Sequence, residues 1–183
     1  TELPISDTTS FYGVAGFQNR DASSAAFARG GIGSGDIPSR NSAAMYPDGF
    51  VPFIDGDIED RHISAGLKGM WGDWHWDVSQ THGYNRLDYN INHTLNASIA
   101  NQDLLSGGAG ISPTAFNAGG FSFQQDTTNF DISRYFEDAM NGVNVAFGTE
   151  FRRENYQIYA GEPGSYIDAD GVGIGGNAGS QGF

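Results

Sequence analysis

The sequence predicts an all-β fold, an antiparallel transmembrane β-barrel segment with short periplasmic turns and long extracellular loops. Three observations predict it. The composition of the 183 residues suits short-turned strands, with 27 glycines, 13% aromatic side chains and 38% hydrophobic residues. Five segments alternate apolar and polar side chains with the period of a strand, and no helix-length apolar stripe stands out. The connections between these segments alternate long and short, an asymmetry that outer-membrane barrels share. A mean hydropathy of -0.39 leaves little apolar material for an ordinary core. A lipid-facing barrel escapes that limit, because its lumen holds polar groups and water.

The first strand is expected from about Thr9 to Arg20, with Phe11 and Phe17 on one parity and Tyr12 and Val14 on the other. A glycine-, serine- and proline-rich connection follows, from Asp21 to about Asp57. The second strand, about Ile58 to Trp71, sets Ile63, Ala65 and Leu67 against His62, Ser64 and Lys68. Only Gly72 and Asp73 separate it from the third, about Trp74 to Asn90. There Trp74, Trp76 and Val78 share one face and His75, Asp77 and Ser79 the other; Gln80 and His82 then interrupt the apolar face, predicting that the strand leaves lipid before it ends.

A second long connection, about Ile91 to Gly119, carries Gly107, Gly108, Gly110 and Pro113 and reads as irregular. The fourth strand, about Gly120 to Phe136, has Phe121 and Phe123 on odd positions but Phe130, Ile132 and Phe136 on even ones. That change of parity predicts a bulge or a late strand start. After a short turn, Glu137 to Gly142, the fifth strand puts Val143, Val145, Phe147 and Phe151 on one face and Asn144, Glu150, Arg152 and Glu154 on the other. A glycine-rich tail follows Tyr159.

This order puts Gly72 and Ala139 near the periplasm and Tyr46, Asn101 and Asp168 outside the cell. Trp71, Trp74 and Trp76 then fall beside a short turn, where an interfacial aromatic girdle sits; the alternative is a core cluster of a soluble β-sandwich. Single-chain bacterial barrels use even strand numbers, whereas five strands leave the two termini on opposite sides. Residues 1–183 are therefore expected to form one partial β-barrel domain, a piece of a larger barrel or an open sheet completed by other chains.

With 22 acidic against 9 basic residues, the net charge of -13 argues against nucleic acid as a partner. The absence of cysteine excludes disulfides and thiolate metal sites. Thr1 to Ser10 has no charged-then-apolar signal pattern, and no run of eighteen apolar residues occurs, so any export signal is expected to have been removed or to lie outside this sequence.

Several segments together carry a family resemblance. They are Met-Tyr-Pro-Asp-Gly-Phe-Val-Pro-Phe-Ile (45–54), Trp-His-Trp-Asp-Val-Ser (74–79), Leu-Asn-Ala-Ser (95–98) and Pro-Thr-Ala-Phe-Asn-Ala-Gly-Gly (113–120), followed by Val-Ala-Phe-Gly-Thr-Glu-Phe-Arg-Arg-Glu-Asn-Tyr (145–156) and Ala-Gly-Glu-Pro-Gly-Ser-Tyr (160–166). In this order, over about Tyr46 to Tyr166, the chain resembles the TonB-dependent receptors. The resemblance implies a large barrel in the outer membrane of a Gram-negative bacterium, with an amino-terminal plug domain in its lumen. It implies uptake of a scarce small nutrient, such as a siderophore, cobalamin or a glycan, with energy delivered by the TonB complex. The expected partners are thus the plug domain, the remaining barrel strands, the TonB complex, a small nutrient ligand and outer-membrane lipid. The chain departs from the family in lacking a recognisable plug, a TonB-box segment and an aromatic carboxy-terminal strand, although Phe183 is last.

Within that frame Glu150, Arg152 and Glu154 are expected to face the lumen as contacts for a plug or ligand, the alternative being wall solvation and cross-strand pairing. Asp55, Asp57, Glu59 and Asp60 could offer oxygen ligands to calcium, or form an acidic surface loop. Asp168-Ala-Asp-Gly resembles the start of a calcium loop, but Gly179 stands where the bidentate glutamate belongs. His62, His75, His82 and His93 lack metal-ligand spacing. Asn92-His-Thr and Asn96-Ala-Ser match the glycosylation pattern and read as chance loop sequence, and Gly171 to Gly179 lacks the strand-and-helix context of a phosphate loop. No nucleophile, base and orienting group stand out, so no enzyme, catalytic residue, cofactor or metal is expected. A second reading, from another class, is an extracellular structural or adhesive β-protein that assembles through open sheet edges into a homo-oligomeric filament. A third is a soluble β-sandwich binding glycans through exposed aromatics.

Overall fold

A computed structural model of the chain describes residues 1–171. The expectations placed on the glycine-rich stretch past Gly171, on Gly179 and on Phe183 lie outside the described residues. In chain order the strands are β1 (Glu2–Ser6), β2 (Thr9–Ala25), β3 (Arg29–Gly30), β4 (Gly49–Phe50), β5 (Phe53–Trp71) and β6 (Trp74–Asn92). Helix α1 (Ala97–Leu105), β7 (Ala115–Phe136), β8 (Val143–Ala160) and a 3-10 turn (Pro163–Ser165) follow among the described residues. The fold is mostly antiparallel β. Six strands form one sheet in the order β1-β2-β5-β6-β7-β8, while β3 and β4 pair in a small ribbon. The sheet is open, with β1 and β8 at its edges.

Four expectations change. The main sheet has six strands, not five, because Glu2–Ser6 pairs with β2, Leu3 lying opposite Phe11 and Pro4 opposite Ser10. Five residues around a proline are too short a pattern to read as a strand before the partner is seen. The connection expected to be irregular from Ile91 to Gly119 contains α1, which has no apolar stripe to announce it because it buries only Ala97, Ser98 and Ala100. The connection after the first strand is shorter than expected, since β2 runs on to Ala25 and β5 begins at Phe53.

The fourth change concerns β7, which has neither the expected bulge nor a late start. Trp74 meets Phe136, Gln80 accepts from Thr128 and His82 pairs with Asp126, even residues with even, while Tyr89 meets Phe121, odd with odd, so like parity faces like throughout. β7 is continuous and no net one-residue slip accumulates between Phe121 and Phe136, so its apolar residues change face along its length. Upstream, Gly119 does depart from ordinary strand geometry, with φ +86° and space for a Cβ already occupied by the Tyr159 carbonyl.

The described residues divide into two compact units, one of residues 1–19, 59–85 and 122–157, the other of residues 20–58, 86–121 and from 158 on. In the first, no hydrophobic side chain is buried. The second has a small core of Phe50, Leu95, Ala97 and Ala100, with Met45 and Tyr46 packed against it.

That core is fastened by three buried polar side chains with partners, Asn96, Ser98 and Asn41, while the buried Thr94 hydroxyl beside it has none. Asn96 caps α1, its Oδ1 accepting from the Ser98 and Ile99 amides at 3.0 and 3.2 Å. Its Nδ2 donates to the Gly164 and Ile167 carbonyls at 2.9 and 3.0 Å. Ser98 Oγ donates to the Ile167 carbonyl and accepts from the Ala169 amide. Asn41 Nδ2 donates to the Gly30 and Tyr46 carbonyls. At the other end of α1, the Asp103 carboxylate accepts from the Ile111 and Gly110 amides, which holds the carboxyl below its usual range and closes the 107–111 loop.

Candidate functional site

In the first unit the sheet has two chemically different faces, and side-chain contacts assign residues to them. On the polar face, the Tyr12 ring fills the space where a Cβ on Gly66 would lie, and its hydroxyl donates to Asp77 at 2.7 Å. Ser64 and Thr81 share a hydrogen bond at 2.8 Å, Asn85 donates to Asp60 at 2.6 Å, and Lys68 reaches Glu2 at 3.0 Å. A basin of about 860 Å³ opens on this face, lined among others by Lys68, His75, Asp77, Asp131 and Gly148. A Cβ on Gly148 would strike Asp131, which places the even residues of β8 on the polar face. Glu150, Arg152 and Glu154 are therefore together, as their spacing predicts. Arg152 lies 2.7 Å from Glu150 and 3.8 Å from Glu154, along one strand rather than across two.

The opposite face is apolar near the short turns. By strand alternation it receives Phe11 and Phe17 from β2, Ile63, Leu67 and Trp71 from β5, Trp74 and Val78 from β6, Phe130, Ile132 and Phe136 from β7, and Phe147 and Phe151 from β8. Many are left bare: Trp71 is 79% exposed, Phe151 72%, Phe17 68% and Phe147 64%. Such a run of large exposed side chains exceeds what scattered surface hydrophobics explain.

Trp71 and Trp74 line one recess with Gly72, Ile132 and Phe147. Trp74 also meets the Phe136 ring edge-on at 6.2 Å. Trp76 packs instead over Gly69, which leaves no room there for a Cβ. These contacts do not make the core of a sandwich, because the unit buries no hydrophobic side chain.

Farther from the short turns the same parity turns polar. His82 Nδ1 lies 2.6 Å from Asp126, and Gln80 accepts from Thr128. The Arg61 guanidinium stacks 4.3 Å from the Tyr84 ring centre. The apolar face thus ends part-way along each strand.

The remaining candidates disperse. Asp55 and Asp57 accept from Asn92 and Asn90, Asp60 from Asn85, and Glu59 pairs with Arg61 at 3.5 Å. Among the described residues no three histidines or carboxylates converge on a metal position. Asn96 is a buried cap rather than an open glycosylation acceptor, and Asn92 is exposed beside Asp55. Sequence reasoning missed Arg134, which sits between Ile132 and Phe136 on β7 and reaches back to Asp73 in the β5–β6 turn. The signal was present as one charge within an otherwise apolar alternation. No protein-family model, no curated protein and no solved structure matches this chain.

Proposed function

We propose that the chain is part of the wall of an outer-membrane transporter resembling the TonB-dependent receptors, with its apolar face against lipid and its polar face toward a lumen. The observation that carries this reading is the exposed apolar face of the first unit, limited in height and edged by Trp71 and Trp74 at the short turns. On β8 the apolar stretch from Val143 to Phe151 rises about 27 Å along the strand at ~3.4 Å per residue. At a tilt of ~40° that is about 21 Å of membrane normal, close to the apolar band of such barrels.

The charges of the polar face support the second half of the reading. Glu150, Arg152, Glu154, Asp77 and Asp131 line a wall that water, a plug domain or a passing nutrient can satisfy, but hydrocarbon cannot. Energised uptake of a siderophore, cobalamin or glycan belongs to the complete assembly with its plug and TonB complex. The open edges β1 and β8 are the positions at which remaining barrel strands would pair.

Tryptophan quenching tests the reading directly. The chain, refolded into phosphatidylcholine vesicles with brominated acyl chains, is expected to lose fluorescence relative to unbrominated vesicles. A chain that stays monomeric in buffer with unquenched tryptophans refutes it. The 18-residue edge strand β8 favours one alternative, an extracellular filament of copies joined edge to edge. Regular self-association in buffer without lipid would select it.

A further inference from the structure

Arg134 is the exception on the apolar face. Its neighbours at two-residue spacing are Ile132 and Phe136, and its guanidinium carbon lies 4.7 Å from the Phe136 ring centre and 5.9 Å from that of Trp74. Nη2 contacts Asp73 at 2.7 Å, whereas Nε is buried without a hydrogen-bond acceptor. A charge on a lipid-facing surface is strongly unfavourable at mid-depth and tolerated at the interface, where a long side chain lifts its head toward water. The ring faces offset part of the missing acceptor.

Asp73 is a loose partner. Its side chain is 73% exposed in a two-residue turn, against 32% for Arg134, and exposed ion pairs are weak. A guanidinium is shaped to take two phosphate oxygens at once, which a single carboxylate contact through Nη2 leaves unused. We propose that Arg134, framed by Trp74 and Phe136 beside the β5–β6 turn, binds the phosphate of a phospholipid headgroup in the leaflet nearest the short turns. This rests on the membrane reading above. The rings receive the glycerol and upper acyl region while the guanidinium takes the phosphodiester, and Asp73 competes with the lipid for the same cation.

The competition gives the test its sign. Native mass spectrometry of the chain in detergent micelles, with dioleoylphosphatidylglycerol as probe, should find a bound lipid whose retention falls roughly tenfold in Arg134→Gln and less in Arg134→Lys. Asp73→Asn should raise retention, since it frees the guanidinium. A purely structural ion pair would make Asp73→Asn and Arg134→Gln behave alike, and that result overturns the proposal. So does unchanged retention in Arg134→Gln. Inorganic phosphate is the second probe; displacement of the lipid at equal concentration would mean a soluble-anion site and overturn the lipid assignment. Quenching by brominated phosphatidylcholine separates the two levels of failure. Quenched tryptophans with Arg134-independent lipid binding refute the clamp alone, whereas unquenched wild-type tryptophans refute the membrane reading and the clamp with it.

Discussion

Replacing Phe147 with arginine, and separately its neighbour Ala146, sets the two faces of β8 against each other within one peptide unit. Phe147 lies midway between Val143 and Phe151, so about 10 Å of apolar surface separates it from either end of the band. At that depth a lipid-facing arginine costs roughly 2–4 kcal/mol, while an arginine on the lumen side costs little. Ala146 shares the parity of Gly148, whose Cβ would strike Asp131, so added positive charge there meets a carboxylate rather than hydrocarbon. Phe147→Arg is therefore expected to destabilise the chain in lipid vesicles by about 3 kcal/mol and Ala146→Arg by less than about 1 kcal/mol. Urea unfolding in phosphatidylcholine vesicles, followed by tryptophan fluorescence, reads both. A soluble sheet predicts otherwise, because Phe147 is already 64% exposed and surface substitutions fall within about 0.5 kcal/mol. Two variants indistinguishable from each other would refute the assignment of faces.

Two further outcomes concern the second unit. Asn96→Ala removes a helix cap and leaves buried partners unpaired, so the α1 amides should exchange faster by about 2 kcal/mol of local stability or more; Asn96→Asp should not rescue them, because its carboxylate would face the Gly164 and Ile167 carbonyls. Unchanged exchange in Asn96→Ala would sink the cap's role. The Asp103 carboxyl is held low first by the Ile111 amide and then by that of Gly110, so its contribution is complete above its unfolded titration and is lost as pH falls through the depressed folded one. Gly110 and Ile111 should accordingly keep their exchange protection at neutral pH and lose it only below the ordinary carboxylate range, a dependence that Asp103→Asn abolishes. Loss of protection already near neutrality would contradict this.

The long strands were legible because period-two alternation survives wherever one face is apolar and the other charged. Trp74 to Val78 and Val143 to Glu154 carry that signal in their side chains alone, and Gly72-Asp73 marks the turn. What stayed hidden depends on partners distant in sequence. Glu2–Ser6 becomes a strand only by lying beside β2, and Ala97–Leu105 a helix through a cap that reaches Gly164 and Ile167. The shift in β7 misleads for a different reason. Phe121 is turned to the Tyr89 ring and Phe136 to Trp74, so a change of surroundings along one continuous strand imitates a change of register. Of the charged side chains, the Glu150, Arg152 and Glu154 trio was visible from spacing. The pairing of Arg134 with Asp73 was not, because the two lie 61 positions apart and meet only once β6 and β7 are side by side.

The buried cap at Asn96 also imposes an order of events on folding. Its two carbonyl partners lie 68 and 71 residues downstream, beyond β7 and β8. Until the segment that satisfies its cap is in place, α1 lacks that support, and a nine-residue helix alone is marginal in water. Closing so long a loop is slow relative to hairpin formation, so the strand pairs around Gly72-Asp73 and the 137–142 turn are expected to form before the helix-bearing loop locks.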